Sequence, residues 1–434
     1  WVPDVSSDAS NGTGRFGRLQ LRPAAGKAMK ILKSALASSP RHPFCIHLLV
    51  HLTEASQDHQ LLQEVRPMAE LLPQLMPGAP HLIHMSFHTL MHTGDFHRAD
   101  RDNSWATLMP RQIYPMHNLD TLSWACRIQG RSSCSLDAAK SLEHRALDLV
   151  GSGTFETGFP PARFAAVWPL TLLAFGRYRR ILHSEPPKQC QVEPFLAGIW
   201  HFAHGAAATH LGLSGRANEE LHGLQRKREV VEEISQQSAG RTAWKNFNGS
   251  EAWAVYPAAQ LLSLAEQELL GRMGTLQAWH RAAAIEAALP YDEPPAWYLP
   301  VANRLGEALA ESGLLEEAEE VYRHSLRRLP KNGWAILGLW QLCVRRWPKN
   351  STCHELHRNF SKAWRHADVS LKNSAEVQGL QGPKPAPSSF LWLPWSSSTQ
   401  AMLPWLFVAS SLALLVWIWR PKRSCACYHR LEGE

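Results

Sequence analysis

One stretch constrains the fold more than any other, because it has the pattern of two short helices joined by a tight turn. Within residues 299–332, Leu305 and Leu309 are four positions apart and therefore lie on one face of the first helix. Gly306 has no side chain and lets a neighbouring helix approach closely. A helix pair of this size cannot bury its apolar faces alone. The stretch therefore predicts an array in which such pairs stack side by side.

The second half of the same stretch completes a repeat signature. After a turn at Gly313, a second helix carries Ala318, which is small enough for a helix crossing, and Tyr322, which fills the gap. Pro330 ends this helix. The spacing L-G-x2-L-x8-A-x3-Y-x7-P resembles that of the tetratricopeptide repeat. This resemblance implies a superhelix of stacked helix pairs.

Helical patterns continue through most of the chain. From residue 24 to residue 367, apolar residues recur at helical spacing between Pro, Gly and Ser breaks, and no segment alternates as a strand does. We therefore predict an all-α, tetratricopeptide-like superhelix (an α-solenoid) of about eight helix pairs over 24–367. Residues 1–23 are rich in Ser, Gly and Asp, and we expect them to be disordered.

The C-terminal residues differ in composition from the repeats. Residues 368–400 lose periodicity and become rich in Pro and Ser, which is typical of an extended linker. Residues 401–419 contain no charge over 19 positions, close to the roughly 20 residues that a helix needs to cross a bilayer. We therefore predict a single-pass membrane protein with a transmembrane helix at 401–419, in contact with the lipid bilayer, and a short basic tail at 420–434.

The sequence leaves two membrane topologies open. Three basic residues within 420–423 follow the predicted span directly, and the positive-inside rule places such a cluster in the cytosol. The repeats would then be lumenal or extracellular, and a signal sequence would precede residue 1. Candidate N-glycosylation sites favour the same side, at Asn11, Asn248, Asn350 and Asn359. The alternative is a tail anchor with cytosolic repeats. Cys425 and Cys427 are candidate palmitoylation sites on a cytosolic tail.

Composition and motifs argue against several classes of function. The formal net charge of +7 is mild and spread along the chain, so it does not indicate nucleic-acid binding. The eight cysteines show neither a C-x-x-C pair nor zinc-ribbon spacing, so we expect no disulfide framework. Neither G-x-S-x-G nor a P-loop motif occurs, and the sequence therefore gives no basis for nucleophilic catalysis.

Histidines cluster in the first third of the chain. Two runs place polar side chains on one helix face each, with His47, His51 and Glu54 in the first and His81, His84 and His88 in the second. First helices of successive repeats lie side by side in a solenoid, so these imidazoles are expected to converge. The sequence thus predicts a transition-metal site for zinc or iron, with ligands from His47, His51, Glu54, His84, His88 and His117.

The alternative interpretation is that the histidines pack and hydrogen-bond in a groove that binds a protein or peptide partner. The concave side of a solenoid commonly takes such a partner. Candidate partner-binding residues are His81, Asn118, Asp120, Asp292 and Trp297. The last two belong to residues 291–298, whose Pro-Pro and aromatic residues equally suit a rigid turn between repeats.

These segments resemble a group of mostly uncharacterised, His-rich tetratricopeptide-repeat proteins that are common in bacteria. The resemblance rests on H-P-x3-H-x3-H-x2-E from His42, on P-G-A-x-H-L-x-H-M-x2-H from Pro77 and on Y-x2-H-N from Tyr114. It covers roughly residues 26–346 and implies the repeat fold but no established reaction. The chain departs from the group at Asp120, where the group has a histidine.

Two functions follow from the sequence. The first is a membrane-anchored scaffold that binds a protein partner in its concave groove and needs no cofactor. The alternative is a metal-binding protein, either a metal-dependent enzyme or a sensor, that uses the histidine cluster of the first repeats.

Overall fold

The computed structural model describes residues 2–3, 19–20, 23–56, 58–110, 112–150, 160–238 and 257–380. The predicted span 401–419, the tail 420–434 with Cys425 and Cys427, and the sequons at Asn11 and Asn248 lie outside these ranges, as does most of 1–23. Within the ranges, no helix is both long enough and apolar enough to cross a membrane.

The described chain is a helical-repeat array in which consecutive helices pack as pairs. Packing is most extensive within α5/α6, α7/α8, α12/α13, α14/α15, α16/α17 and α18/α19. The helices are α1 Pro23–Ser38, α2 Pro43–Glu54, α3 His59–Ala69, α4 Leu72–Leu75, α5 Pro80–His92, α6 Phe96–Leu108, α7 Pro115–Ile128, α8 Ser132–Leu147, α9 Pro161–Ala165, α10 Val167–Ala174, α11 Tyr178–His183, α12 Pro194–His210, α13 Ser214–Ser238, α14 Ala258–Arg272, α15 Leu276–Ala288, α16 Val301–Glu311, α17 Leu315–Arg328, α18 Gly333–Arg346 and α19 Ser351–Ala363.

The same backbone turn recurs between the two helices of a pair. At the predicted turn after α16, Gly313 has a φ of 82°, a left-handed conformation that favours glycine. The N–H of Leu314 donates to the carbonyl of Leu309 at 2.9 Å, which makes the turn a Schellman motif. Glycines with positive φ lie at five further inter-helix turns, at Gly94, Gly130, Gly176, Gly212 and Gly274. This repetition places successive helix pairs in similar orientations.

Tyr322 fills the space between neighbouring helices, as the sequence predicts. Its ring is buried, and a Cβ on either Gly306 or Gly338 would overlap it. Ala318 is fully buried one turn before Tyr322, where only a small side chain fits. The two glycines therefore let α16 and α18 close over one aromatic ring from α17.

The C-terminal pairs pack against the N-terminal pairs, so the array curves back on itself. The indole Nε1 of Trp334 donates to the backbone oxygen of Arg127 at 3.2 Å. The ring of Trp364 covers Gly130. The backbone N–H of Ser133, near the start of α8, donates to Asp368 at 2.9 Å. Helical periodicity alone does not indicate that later pairs pack against earlier ones.

Two short β-hairpins accompany the helices of the described chain. Val2–Pro3 (β1) pairs with Leu19–Gln20 (β2), and Val369–Leu371 (β3) pairs with Val377–Leu380 (β4), both antiparallel. The second hairpin lies where we expected the Pro/Ser-rich linker to begin. Val369 is fully buried beside Trp364, and this contact explains the order there.

The expectation of no disulfide framework is wrong. Cys126 of α7 is bonded to Cys134 of α8, and Cys343 of α18 is bonded to Cys353 of α19. Each bond joins the last turn of one helix to the first turn of the next. The sequence separations of 8 and 10 residues match no metal-ligand or disulfide motif, and only the helix-hairpin geometry brings these sulfurs together.

We predict that Gly306→Ala destabilises the protein. The added methyl overlaps the ring of Tyr322, and overpacking of this kind costs about 1–3 kcal/mol. Chemical denaturation of the purified chain measures the effect. The matched control is Gly215→Ala in α13, where no atom lies near the added methyl, and it should be neutral or slightly stabilising. Equal stability of the two variants would contradict this packing.

Candidate metal centre

Three helices and one loop build the histidine-rich region. α2 packs against α5, and side chains of α5 contact α7 and the loop between α15 and α16. Each of the three helices begins with a proline, Pro43, Pro80 or Pro115, at a position where a missing N–H costs nothing. The predicted convergence of first helices of successive repeats therefore occurs.

Three imidazoles form the inner cluster, which comprises His84, His88 and His117. The Nε2 atom of His84 lies 3.0 Å from Nε2 of His88 and 3.1 Å from Nε2 of His117. His84 and His88 are buried, and His117 is partly buried. One ion bonded at about 2.0–2.1 Å to each nitrogen fits between atoms at these separations. The geometry is thus compatible with a three-histidine metal site.

A hydrogen-bond network fixes the tautomer of His84. The amide nitrogen of Asn103 donates to the backbone oxygen of Asn118 at 2.8 Å and to Oγ1 of Thr121 at 3.0 Å. Its amide oxygen therefore faces Nδ1 of His84 at 2.7 Å and must accept a hydrogen bond from a proton on that nitrogen. Nε2 of His84 is left with a free lone pair directed at the inner cluster. Metal-bound histidines are usually supported in this way.

Two carboxylates, those of Glu54 and Glu293, lie beside Nδ1 of His88. Nδ1 of His88 lies 3.3 Å from Oε2 of Glu54 and 3.2 Å from Oε2 of Glu293, while its Nε2 faces His84. An imidazole with a proton on Nδ1 satisfies the carboxylates and presents a lone pair on Nε2. This arrangement corresponds to the carboxylate–histidine–metal triad of many metalloproteins.

The protonation states of His88 and Glu54 are linked in a metal-free cluster. Because Nε2 of His84 has no proton, a hydrogen bond between the two rings requires His88 to donate from Nε2. Nδ1 of His88 then either donates to an ionised carboxylate, which makes the ring an imidazolium, or accepts from a protonated Glu54. A metal ion removes this requirement, since a neutral His88 with its proton on Nδ1 then satisfies both of its neighbours.

Burial keeps the other two inner histidines neutral. Desolvation, together with the nearby histidines, holds the pKa of His84 and of His117 well below the ordinary value. A neutral imidazole is the form that binds a metal. His84 and His117 are therefore in the metal-binding form at neutral pH.

A second group of imidazoles, the outer cluster, lies closer to the surface and consists of His47, His51 and His81. Nε2 of His47 is 3.2 Å from Nε2 of His81, and the three residues offer ligand atoms within 4.8 Å of one another. Burial and the neighbouring histidines lower the pKa of His47 to about 4 and that of His81 to about 3. The side chain of His51 is 42% exposed.

Glu293 connects the loop to the inner cluster. It accepts a hydrogen bond from the Tyr291 hydroxyl and lies 3.3 Å from Nε2 of His92. Burial opposes ionisation of Glu293, but His92 and His88 hold its pKa well below the ordinary value. Burial instead raises the pKa of the Glu54 carboxyl to about 8. The two carboxylates beside Nδ1 of His88 thus differ in their tendency to ionise.

Sequence reasoning missed the two residues that orient the inner histidines. Asn103 lies on α6, a second helix of its pair, and no metal-ligand spacing includes it. Glu293 lies next to Asp292, which the sequence analysis favoured within its loop. In the structure Asp292 faces Arg163, at 3.0 Å, and Glu293 faces the histidines. The Asp-Glu pair before Pro-Pro was the one sequence feature that could have indicated Glu293. Only the fold decides which of the two carboxylates faces the histidines.

The residues predicted to bind a partner are mostly buried. Asn118, Asp120 and Trp297 are at most 2% exposed. Asp120 pairs with Arg163, and the indole of Trp297 donates to Glu268 at 3.0 Å. His81 belongs to the outer cluster. Their role in partner binding stays a prediction.

The two predicted glycosylation sites within the described chain are both exposed on the last pair. Asn350 is the N-cap of α19, where its side chain accepts from the N–H of Thr352 at 2.9 Å. Asn359 lies further along the same helix. Both asparagines are sterically accessible in the folded protein.

Comparisons with known proteins assign no function to this chain. No protein-family model matches the chain, and no curated protein matches it. One similar solved structure is described as a circular tandem repeat protein with novel repeat topology and enhanced subunit contact surfaces. It is 14% identical, the match covers 79% of this chain and 75% of that chain, and the TM-score is 0.19.

We predict that Arg163→Met strongly destabilises the protein. Arg163 pairs with both Asp120 and Asp292, which are buried, and its guanidinium also donates to the backbone oxygen of Pro294 at 3.2 Å. Loss of one partner from a buried ion pair costs about 3–5 kcal/mol. Denaturant unfolding measures the change. The exposed Arg145→Met on α8 is the control and should lie within about 0.5 kcal/mol of the parent.

Proposed function

We propose that this protein binds a transition-metal ion through Nε2 of His84, His88 and His117. The observation that carries the proposal is the orientation of His84 and His88, whose Nδ1 atoms face Asn103 and carboxylates while their Nε2 atoms meet. Hydrogen bonding without an ion would need a proton on Nε2 of His88, and therefore either an imidazolium or a protonated Glu54 beside it. An ion satisfies every imidazole in its neutral form.

The donor set indicates the class of metal. Three neutral imidazoles suit zinc or ferrous iron better than magnesium or calcium, which prefer oxygen ligands. Three protein ligands leave at least one coordination position for water or another molecule, in contrast to closed structural sites. The protein's own contribution is to hold the nitrogens in place and to limit access to the remaining coordination position by burial.

A second candidate function is that of a protein-binding scaffold of the tetratricopeptide type. Two adjoining clefts of about 400 and 300 Å³ lie among the C-terminal pairs, and both are lined by Glu307, Glu311 and Asn373. Arg272 and Arg304 also line the larger cleft. This mixed charge suits a polar peptide segment. The clefts lie outside the set of residues that the sequence indicated for a partner.

We further propose a topology with the repeats on the lumenal or extracellular side and the span at 401–419. The two disulfides support it, because such bonds are stable in oxidising compartments and rare in the cytosol. The exposed sequons at Asn350 and Asn359 are compatible with it. The basic residues after the span place the tail in the cytosol by the positive-inside rule.

We expect the metal-free full chain in detergent to bind zinc tightly, as measured by isothermal titration. Asn103→Ala should weaken binding by about 10–100-fold, because it removes the group that orients His84. His84→Ala should weaken binding more, since it removes a ligand. The matched control is His204→Ala, a buried histidine of α12 outside both clusters, which should bind zinc as the parent does. A parent protein that takes up no zinc would refute the proposal.

The topology predicts the outcome of protease protection in sealed vesicles from the secretory pathway. Protease added outside should remove a tag placed after Glu434 and leave the repeats intact. Alkylation without reduction should then leave Cys126, Cys134, Cys343 and Cys353 unmodified. Digestion of the repeats in intact vesicles, or alkylation of all four cysteines, would instead support a cytosolic tail anchor.

A further inference from the structure

The outer cluster lies between solvent and the inner cluster, and its imidazole rings neighbour those of the inner cluster. The side chain of His51 is 42% exposed, whereas His84 is fully buried. The ring of His81 stacks on that of His84 with centroids 6.2 Å apart. The ring of His51 lies 5.9 Å from that of His88. Each cluster could hold one ion, and rings of the outer cluster are direct neighbours of rings of the inner cluster.

Glu54 touches both clusters with its two oxygens. Its Oε1 lies 3.3 Å from Nδ1 of His51, and its Oε2 lies 3.3 Å from Nδ1 of His88. One carboxylate therefore orients one ligand of each cluster, and it directs the Nε2 atoms away from itself. Surface histidines that only contact water do not need a carboxylate to orient their rings.

The outer cluster also contains a buried nitrogen without a hydrogen bond. Nδ1 of His81 is buried and has no hydrogen-bond partner in the described part of the chain, while its Nε2 faces Nε2 of His47 at 3.2 Å. Buried polar atoms without partners are rare in folded proteins. A ligand bonded to Nδ1 itself would compensate for this cost, and a metal ion is the ligand that three adjacent imidazoles favour.

We propose that His47, His51 and His81 form an uptake station that takes a metal ion from solvent and passes it to the inner cluster. The inference rests on the proposed metal-binding function. The ion moves by exchange of one imidazole for another, with no change in its oxidation state and no covalent bond made or broken in the protein.

An uptake station is useful to this protein because the inner cluster is buried. A divalent ion that loses its water in a low-dielectric interior pays a large desolvation cost unless ligands replace that water at each step. Ring contacts near 6 Å let the ion keep some protein ligands while it exchanges others. Without the outer histidines, the inner cluster retains its ligands but loses this path.

The test compares loading and release of Co²⁺, whose visible absorption reports nitrogen ligands, in the full-length chain. The parent should bind two ions, one rapidly exchanging and one slowly exchanging. The variant His47→Ala, which leaves the contact between His51 and Glu54 in place, should bind one ion at the inner cluster. Its loading rate and its rate of release to a chelator should both fall by roughly tenfold, because the affinity, which is their ratio, stays the same.

Controls separate this inference from the proposed function. His222→Ala/His354→Ala removes two exposed histidines elsewhere and should leave both rates unchanged. His84→Ala/His117→Ala should lose the slow ion and keep the fast one. A His47→Ala variant that loads as fast as the parent, or whose inner affinity falls, would overturn the uptake station but not the proposed binding of an ion by the inner cluster. A parent that binds no Co²⁺ would overturn the proposed function itself.

Discussion

Apolar contact between neighbouring helix pairs is the constraint on which the rest of this structure depends. No pair in the array covers its own apolar faces, so each is stable only against its neighbours. The ring of Tyr322 shows how tight the fit is, because Gly306 and Gly338 approach it from two helices. The same stacking forces α2, α5 and α7 into proximity and thereby creates the histidine clusters. The candidate metal centre is a consequence of the way in which the repeats are packed.

The polar groups inside this packing are arranged so that few charges are left uncompensated. Arg163 lies between Asp120 and Asp292, and Asn103 accepts from His84. Buried charges and polar atoms are costly unless such partners are present. In the inner cluster, Nε2 of His84 instead faces the Nε2 atoms of His88 and His117. A bound ion is the simplest physical means to compensate for this contact.

Local residue spacing predicted most of the helical array and part of the candidate metal centre. It did not predict the other residues of that centre. The histidines of α2 and α5 share helix faces, so their grouping follows from the helical period alone. Glu293 is separated from His88 by 205 positions, and only the closure of the array brings it there. The disulfide between Cys126 and Cys134 depends on the angle of a helix hairpin, which residue spacing does not encode.

The sequence by itself determined the helices, the glycine turns between them and the ligand types on the first helices. These features depend on backbone conformation and on a period of 3.6 residues, both of which are local properties. Only the tertiary structure decided which carboxylate faces His88, which cysteines pair and which nitrogen of His84 carries its proton. Glu293 reaches His88 only because later helix pairs pack against earlier ones. The disulfides and the proton on His84 depend on the angle between adjacent helices. Residue spacing along the chain specifies neither kind of contact.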